Sequence, residues 1–108
     1  MIVIAEGIRF KSWLCDVVLA KYEADCTDAL VLVDSDSSER IATATSCLNG
    51  WGFHPGEGKT AIKDYSENEG MLAVLVNAGI VEDTGERFAA GHVEFPIVRV
   101  LLREDVAA

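Results

Sequence analysis

The fold class predicted for this chain is α+β, an antiparallel sheet with one principal helix packed on it. Three observations lead there. Much of the sequence alternates apolar and polar residues with period two between short turn-forming stretches. Residues 67–77 instead carry apolar side chains at helical spacing, bracketed by a start and a stop signal. No repeat, linker or composition break divides the 108 residues, so one domain is expected over 1–108.

Ile2, Ile4, Ile8 and Phe10 fall on even positions around Gly7, as in a short strand or tight hairpin. In residues 12–22, Trp13, Cys15, Val17 and Leu19 alternate, while Phe10, Trp13, Leu14, Val17 and Val18 also fit a helical face; a strand is the expectation. The polar stretch 23–28 reads as a turn. Ala29-Leu30-Val31-Leu32-Val33 suits a central strand buried on both faces. Asp34-Ser35-Asp36-Ser37-Ser38 is dense in residues that bond their own backbone, and it is expected to join antiparallel strands. Residues 40–48 then alternate as a single strand with one β-branched face and one face of mostly small residues.

Residues 49–58 hold four glycines, Pro55 and two aromatics, so they form a loop. Thr60-Ala61-Ile62-Lys63 returns as a strand feeding the helix. Ser66 followed by Glu69 has the spacing of a capping box, in which each side chain accepts from the other residue's amide. Met71, Leu72, Leu75 and Val76 form the buried stripe of helix 67–77. Gly79 is placed as its left-handed stop, with Ile80 folding back on Leu75 as in a Schellman motif. Asp83-Thr84-Gly85 predicts a turn. Val93, Phe95 and Ile97 open a strand whose inward phase passes to Val98, Val100 and Leu102, with Pro96 at an edge or bulge.

Charge bounds the function. Nine Lys and Arg face eighteen Asp and Glu, giving a net charge of -9, which repels phosphate backbones and anionic lipid. Neither direct nucleic-acid binding nor membrane association is expected. Cys15, Cys26 and Cys47 are an odd set without a C-x-x-C pair, which suits reduced thiols in a cytoplasm. The apolar start lacks a basic region and is interrupted by Glu6, unlike a signal peptide. No apolar run approaches membrane-spanning length. A soluble cytoplasmic protein is therefore expected.

Motifs for catalysis, metals and cofactors fall short of their chemical requirements. Five residues rather than four separate Gly52 from Gly58 ahead of Lys59-Thr60, and Thr60 opens a strand rather than a helix, so a phosphate loop fails on count and context. Asp34-x-Asp36-x-Ser38 begins like a calcium loop but has Glu39 and Thr45 where glycine and glutamate belong. His54 and His92 lack ligand spacing, and a zinc site would need tertiary convergence with Cys15 or Cys47. No nucleophile elbow or papain-like cysteine context occurs. The expectation is no catalytic residue, no metal and no cofactor.

Three acidic groups remain as a candidate surface for a basic protein partner: Asp34, Asp36 and Glu39; Asp64, Glu67 and Glu69; and Glu82, Asp83 and Glu86. The alternative site is the 49–58 loop, whose Trp51, Phe53 and His54, flanked by glycines, have the makings of a ligand lid for a small-molecule-binding or enzymatic domain. A third reading is a homodimer in which the 93–102 edge pairs with a second copy.

The run Ile62-Lys63-Asp64-Tyr65-Ser66-Glu67-Asn68-Glu69-Gly70 continues into Leu72, Leu75, Ala78-Gly79-Ile80-Val81, Thr84-Gly85 and Gly91. With Tyr22, Ala29-Leu30-x-Leu32 and Ile41-Ala42-x-Ala44-Thr45, it resembles small proteins of unknown function carried by phages, plasmids and conjugative elements. The Gly-Trp-Gly-Phe loop departs from that pattern. The resemblance implies a compact domain on a mobile element and supplies no catalytic residues, which lifts an interaction function above enzyme activity. By analogy it implies an inhibitor of host defence, of anti-CRISPR or DNA-mimic type.

Overall fold

The computed structural model describes residues 2–104 and is α+β, with its strands divided between two four-stranded antiparallel sheets. Strand β1 (Ile2–Phe10) and β2 (Trp13–Lys21) form a hairpin through Lys11 and Ser12, so the 12–22 segment is a strand as expected. Strands β3 (Asp28–Asp34) and β4 (Arg40–Thr43) complete the first sheet, in the order β1-β2-β3-β4. Asp34 closes the turn between them, its Oδ1 accepting from the amides of Asp36 and Ser37 at 2.8 and 3.0 Å. The second sheet runs β5 (Thr45–Ser46), β6 (Lys59–Ile62), β8 (Val93–Val100) and β7 (Val81–Ala90).

The single strand expected over 40–48 is thus two strands in different sheets. Ala44 is the joint. Its amide donates to the Leu30 carbonyl in the first sheet and its carbonyl accepts from the Lys63 amide beside the second, both at 2.8 Å. Buried Thr45 reinforces the joint: its Oγ1 accepts from the Leu30 amide at 3.2 Å and pairs with the Tyr22 hydroxyl at 2.9 Å.

Alternation within β6 and β8 gives the second sheet two covered faces. Ile62 and Val98, with Val81, join Ile4, Val17, Leu19, Leu30 and Leu32 of the first sheet in the main core. Ala61, Phe95 and Ile97 turn the other way, under Leu48, Phe53, Tyr65 and Phe88.

The helix, α1 (Met71–Asn77), is shorter than the 67–77 span and starts differently. Residues Ser66–Asn68 form a separate 3-10 turn. A capping serine needs extended backbone, whereas Ser66 has φ 56° and caps nothing with its side chain. Gly70, at φ 93°, then separates the two helical pieces. The acceptor at the helix start is Asp64, whose Oδ1 takes the Leu72 amide at 3.0 Å. The 63–70 segment instead bridges the first sheet's two ends. The Asn68 side-chain amide donates to the Thr43 carbonyl at 2.7 Å, and the Lys11 ammonium to the Glu67 carbonyl at 2.6 Å.

The helix end follows expectation. Gly79 has φ 74°, the Ile80 amide bonds the Leu75 carbonyl, and the Gly79 amide bonds Val76, a complete Schellman pattern with Leu75 and Ile80 buried.

One of two further expectations is corrected. Asp83-Thr84-Gly85 does form local turn bonds, with Asp83 Oδ1 accepting from the Gly85 amide at 2.9 Å, but they make a bulge inside β7. Pro96 lies on central strand β8 opposite Arg87, one residue past the last β6 partner, and the bulge belongs to neighbouring β7. On its β6 side β8 is paired over Ile97–Arg99, and on its β7 side over 93–96 and 98–100.

These assignments separate three substitutions. Asp64→Ala should cost about 0.5 to 2 kcal/mol through the lost helix acceptor. Gly79→Ala should cost about 1 to 2 kcal/mol through left-handed strain. Ser66→Gly should be stabilising by about 0.5 to 1 kcal/mol, because glycine relieves a positive φ. Denaturant midpoints check this; a destabilised Ser66→Gly together with an unchanged Asp64→Ala would restore the capping box.

Candidate functional site

The nine acids singled out from sequence are employed differently. Asp34 holds its turn and Asp64 the helix start. Glu67 pairs with Lys63 at 2.8 Å, Asp83 with Arg87 at 2.9 Å, Glu86 with Lys59 at 3.1 Å and Glu82 with Arg99 at 3.8 Å. The Lys63 bond holds the Glu67 carboxyl below its ordinary value, and the Arg87 bond does the same for Asp83. Asp36, Glu39 and Glu69 are exposed and form no salt bridge among the described residues. Asp83 of the third group and Asp64 of the second both act on Arg87 and raise it.

A different convergence surrounds the 34–39 turn. Asp16 on β2 accepts at Oδ1 from the Ser35 hydroxyl at 2.8 Å and from the Gly7 amide at 3.3 Å. Gly7 lies in a β1 bulge between Ala5 and Ile8, next to exposed Glu6. Asp16 thereby gathers acids from β1, β2 and the β3–β4 turn. Cys15, paired with Asp34, registers it: burial first, then Asp34 and Asp16, push its thiol up. Glu6 and Asp16 escape a reading by sequence neighbourhood because pairing across strands brings them to the turn.

The 49–58 loop splits into distinct roles. The Phe53 ring stacks on Phe88, centroids 4.3 Å apart, and belongs to the second core. Trp51 is 61% exposed, with a ring edge against Gly91. His54 borders a cleft of about 400 Å³, shared with Lys21, Asp25, Asp28, Glu57 and Lys59.

The chain builds this cleft from a tight turn before β3. The Cys26 amide bonds the Tyr22 carbonyl and the Tyr22 amide bonds the Thr27 carbonyl, both at 2.9 Å, with Cys26 at φ 60°. Asp25 Oδ1 accepts from the Thr27 amide at 2.9 Å, and the Cys47 thiol lies 3.8 Å away. Asp25 Oδ2 is buried without a hydrogen-bond partner, 3.4 Å from His54 Nδ1. Thr27 is the main cause holding the Asp25 carboxyl below its ordinary value; burial opposes it and His54 assists.

Asp28, at the cleft floor, is 1% exposed and fully engaged. Arg103 forks onto both its oxygens and Lys21 reaches Oδ1 at 3.1 Å. Burial alone would raise the Asp28 carboxyl, but the Arg103 and Lys21 bonds outweigh it and hold the group below its ordinary value. Its backbone carbonyl also accepts from the Thr60 hydroxyl at 2.7 Å, tying β3 to β6. Asp25 and Asp28 sit in a stretch legible only as a turn. The Asp25-x-Thr27 spacing was the available signal for Asp25, and nothing local announces Arg103.

A thiol–imidazole nucleophile needs the imidazole beside the thiol, with the carboxylate behind it; here the carboxylate stands between Cys47 and His54. Among the described residues, no group of three His, Cys, Asp or Glu side chains is placed to hold a metal ion, and no helix is long and apolar enough to cross a membrane. Compared with known protein families, curated proteins and solved structures, the chain matches none.

Asp28 supplies a pH test. A carboxyl with a depressed folded pKa contributes stability above its unfolded value, near 3.9, which is lost as pH falls through the folded value. Asp28→Asn should therefore cost about 1 to 3 kcal/mol at pH 7, the lower range applying because Arg103 and Lys21 keep partial contact with water. Denaturant midpoints from pH 7 to 3 should show the gap to the natural chain narrowing below about pH 4. A gap constant across that range would contradict the assignment.

Proposed function

We propose that this chain is a non-enzymatic binding domain that engages a basic protein partner through the acidic patch of Glu6, Asp16, Asp34, Asp36 and Glu39. The observation that carries this reading is the Asp16 carboxylate, which fastens the β1 bulge and the β3–β4 turn together and so fixes several acids side by side. Charge distribution supports it. Six of the nine Lys and Arg side chains are committed to pairs elsewhere, at Lys21, Lys59, Lys63, Arg87, Arg99 and Arg103. The other three are Arg9, Lys11 and Arg40; Lys11 donates to the Glu67 carbonyl at 2.6 Å, and Arg40 turns to the Thr43 hydroxyl at 3.3 Å. A fixed negative surface of this kind steers a basic partner and weakens with salt.

The resemblance to mobile-element proteins gives the proposal its setting. In a cytoplasm, such a domain would act by occupying a basic, nucleic-acid-binding surface of a host defence protein, as an anti-CRISPR protein or DNA mimic does.

Capture of partners from a host extract at rising salt tests the reading. Binding should fall steeply with salt and drop at least about tenfold for the Asp36→Lys, Glu39→Lys double variant, the loss of close charge pairs at an interface being worth about 1.5 kcal/mol or more. Glu82→Gln with Glu86→Gln should leave it unchanged. A partner held equally at high salt, or by both variants equally, would overturn the acidic-patch reading.

A further inference from the structure

We infer that the cleft between the 22–28 turn and the 54–59 loop is a receptor for an organic cation, a protonated amine or guanidinium, with Asp25 as its acceptor. One oxygen beside this cleft lacks a hydrogen-bond partner. The Asp25 side chain is 5% exposed, its carboxyl is held in the charged form, and Oδ2 has no hydrogen-bond partner. A buried carboxylate oxygen left bare is costly, and a native structure that keeps one calls for a donor.

The remaining charges select the sign of that donor. Lys21 is held by Asp28, Lys59 by Glu86, and Asp28 by Arg103 and Lys21. Asp25 and Glu57 are then the lining charges without a Lys or Arg salt bridge among the described residues, and both are negative. An anion is repelled. A metal ion lacks a third ligand among the described residues, whereas a guanidinium or ammonium brings its own directed N–H donors to a carboxylate. A cleft of about 400 Å³ has room for one such group on a short aliphatic stem.

His54 controls access. Its side chain is 60% exposed and Nδ1 stands 3.4 Å from Oδ2, without the alignment of a hydrogen bond. Rotation of this solvent-facing ring would withdraw Nδ1 from the oxygen, while the Thr27 amide keeps hold of Oδ1. This site is separate from the acidic patch, and each stands without the other.

The test is a titration of the full chain followed by amide NMR shifts. The probes are Nα-acetyl-arginine methylamide, a guanidinium standing for a partner's side chain, and n-butylamine, a protonated amine without a guanidinium standing for a free amine. Tetramethylammonium, which has no N–H donor, serves as control at equal ionic strength. Saturable shifts confined to residues 25–28 and 54–59 are expected for at least one donor probe and for tetramethylammonium not at all; which probe binds distinguishes the two sources. Asp25→Asn, which keeps the Oδ1 acceptor, should weaken binding at least about tenfold, as loss of a charged hydrogen bond does. His54→Ala should retain or tighten it, and Asp36→Lys with Glu39→Lys should leave it unchanged. Equal response to tetramethylammonium, equal binding by Asp25→Asn, or no saturable response in both the natural chain and His54→Ala would overturn the proposal. So would an ordered water bonded to Oδ2 that no probe displaces.

Discussion

Ala44 imposes a constraint that organises the whole molecule, because one residue's amide completes the first sheet and its carbonyl anchors the second. A fully buried backbone group must find a partner, and at this position the two partners lie in different layers. The chain is thereby forced to leave β4 and enter β5 within a single residue. Thr45 strengthens the passage by accepting from Leu30 and meeting Tyr22 through one hydroxyl. Ala44 has no room to grow, since it lies at 0% exposure among the side chains of the main core.

The position of the cleft follows from this joint. With β3 held against β5 by the Leu30 bonds and against β6 by Thr60, the turn ahead of β3 comes to rest beside the loop ahead of β6. Asp28 is carried into the seam and is tolerable there only because Arg103 and Lys21 answer its charge. Asp25, a few residues earlier on the same turn, has one oxygen answered and one not. The acidic patch lies at the far end of β3, where the bulge at Gly7 turns β1 toward Asp16. Folding constraints thus deliver two candidate recognition surfaces to opposite ends of one central strand.

Local chemistry was legible wherever a residue's role depended on its neighbours in sequence. Alternation at Trp13, Cys15, Val17 and Leu19 marked a strand, Gly79 with Ile80 marked a helix stop, and Asp34 marked a turn. Where one pattern serves two structures, sequence misled. Residues 40–48 alternate without interruption because a strand that changes sheets keeps its pleat, so the break at Ala44 leaves no trace in periodicity. Ser66 and Glu69 have capping spacing, but positive φ at Ser66 and Gly70 redirects that segment to bridge Thr43 and Lys11. Proximity in sequence groups the acids one way, whereas cross-strand pairing assigns Glu82 to Arg99 and Glu86 to Lys59, and brings Asp16 to the 34–39 turn. Arg103 to Asp28 spans too much chain for any local signal.

Joined through Ala44, the two sheets should unfold as one cooperative unit. Native-state amide hydrogen exchange tests it most directly, because it reports the free energy of each opening separately. The amides of Ala44 and Lys63 should exchange only on global unfolding, with the same free energy and denaturant dependence as Leu32 in β3 and Val98 in β8. Exchange of Ala44 or Lys63 through a smaller opening that leaves both sheets protected, or separate opening free energies for the two sheets, would contradict it.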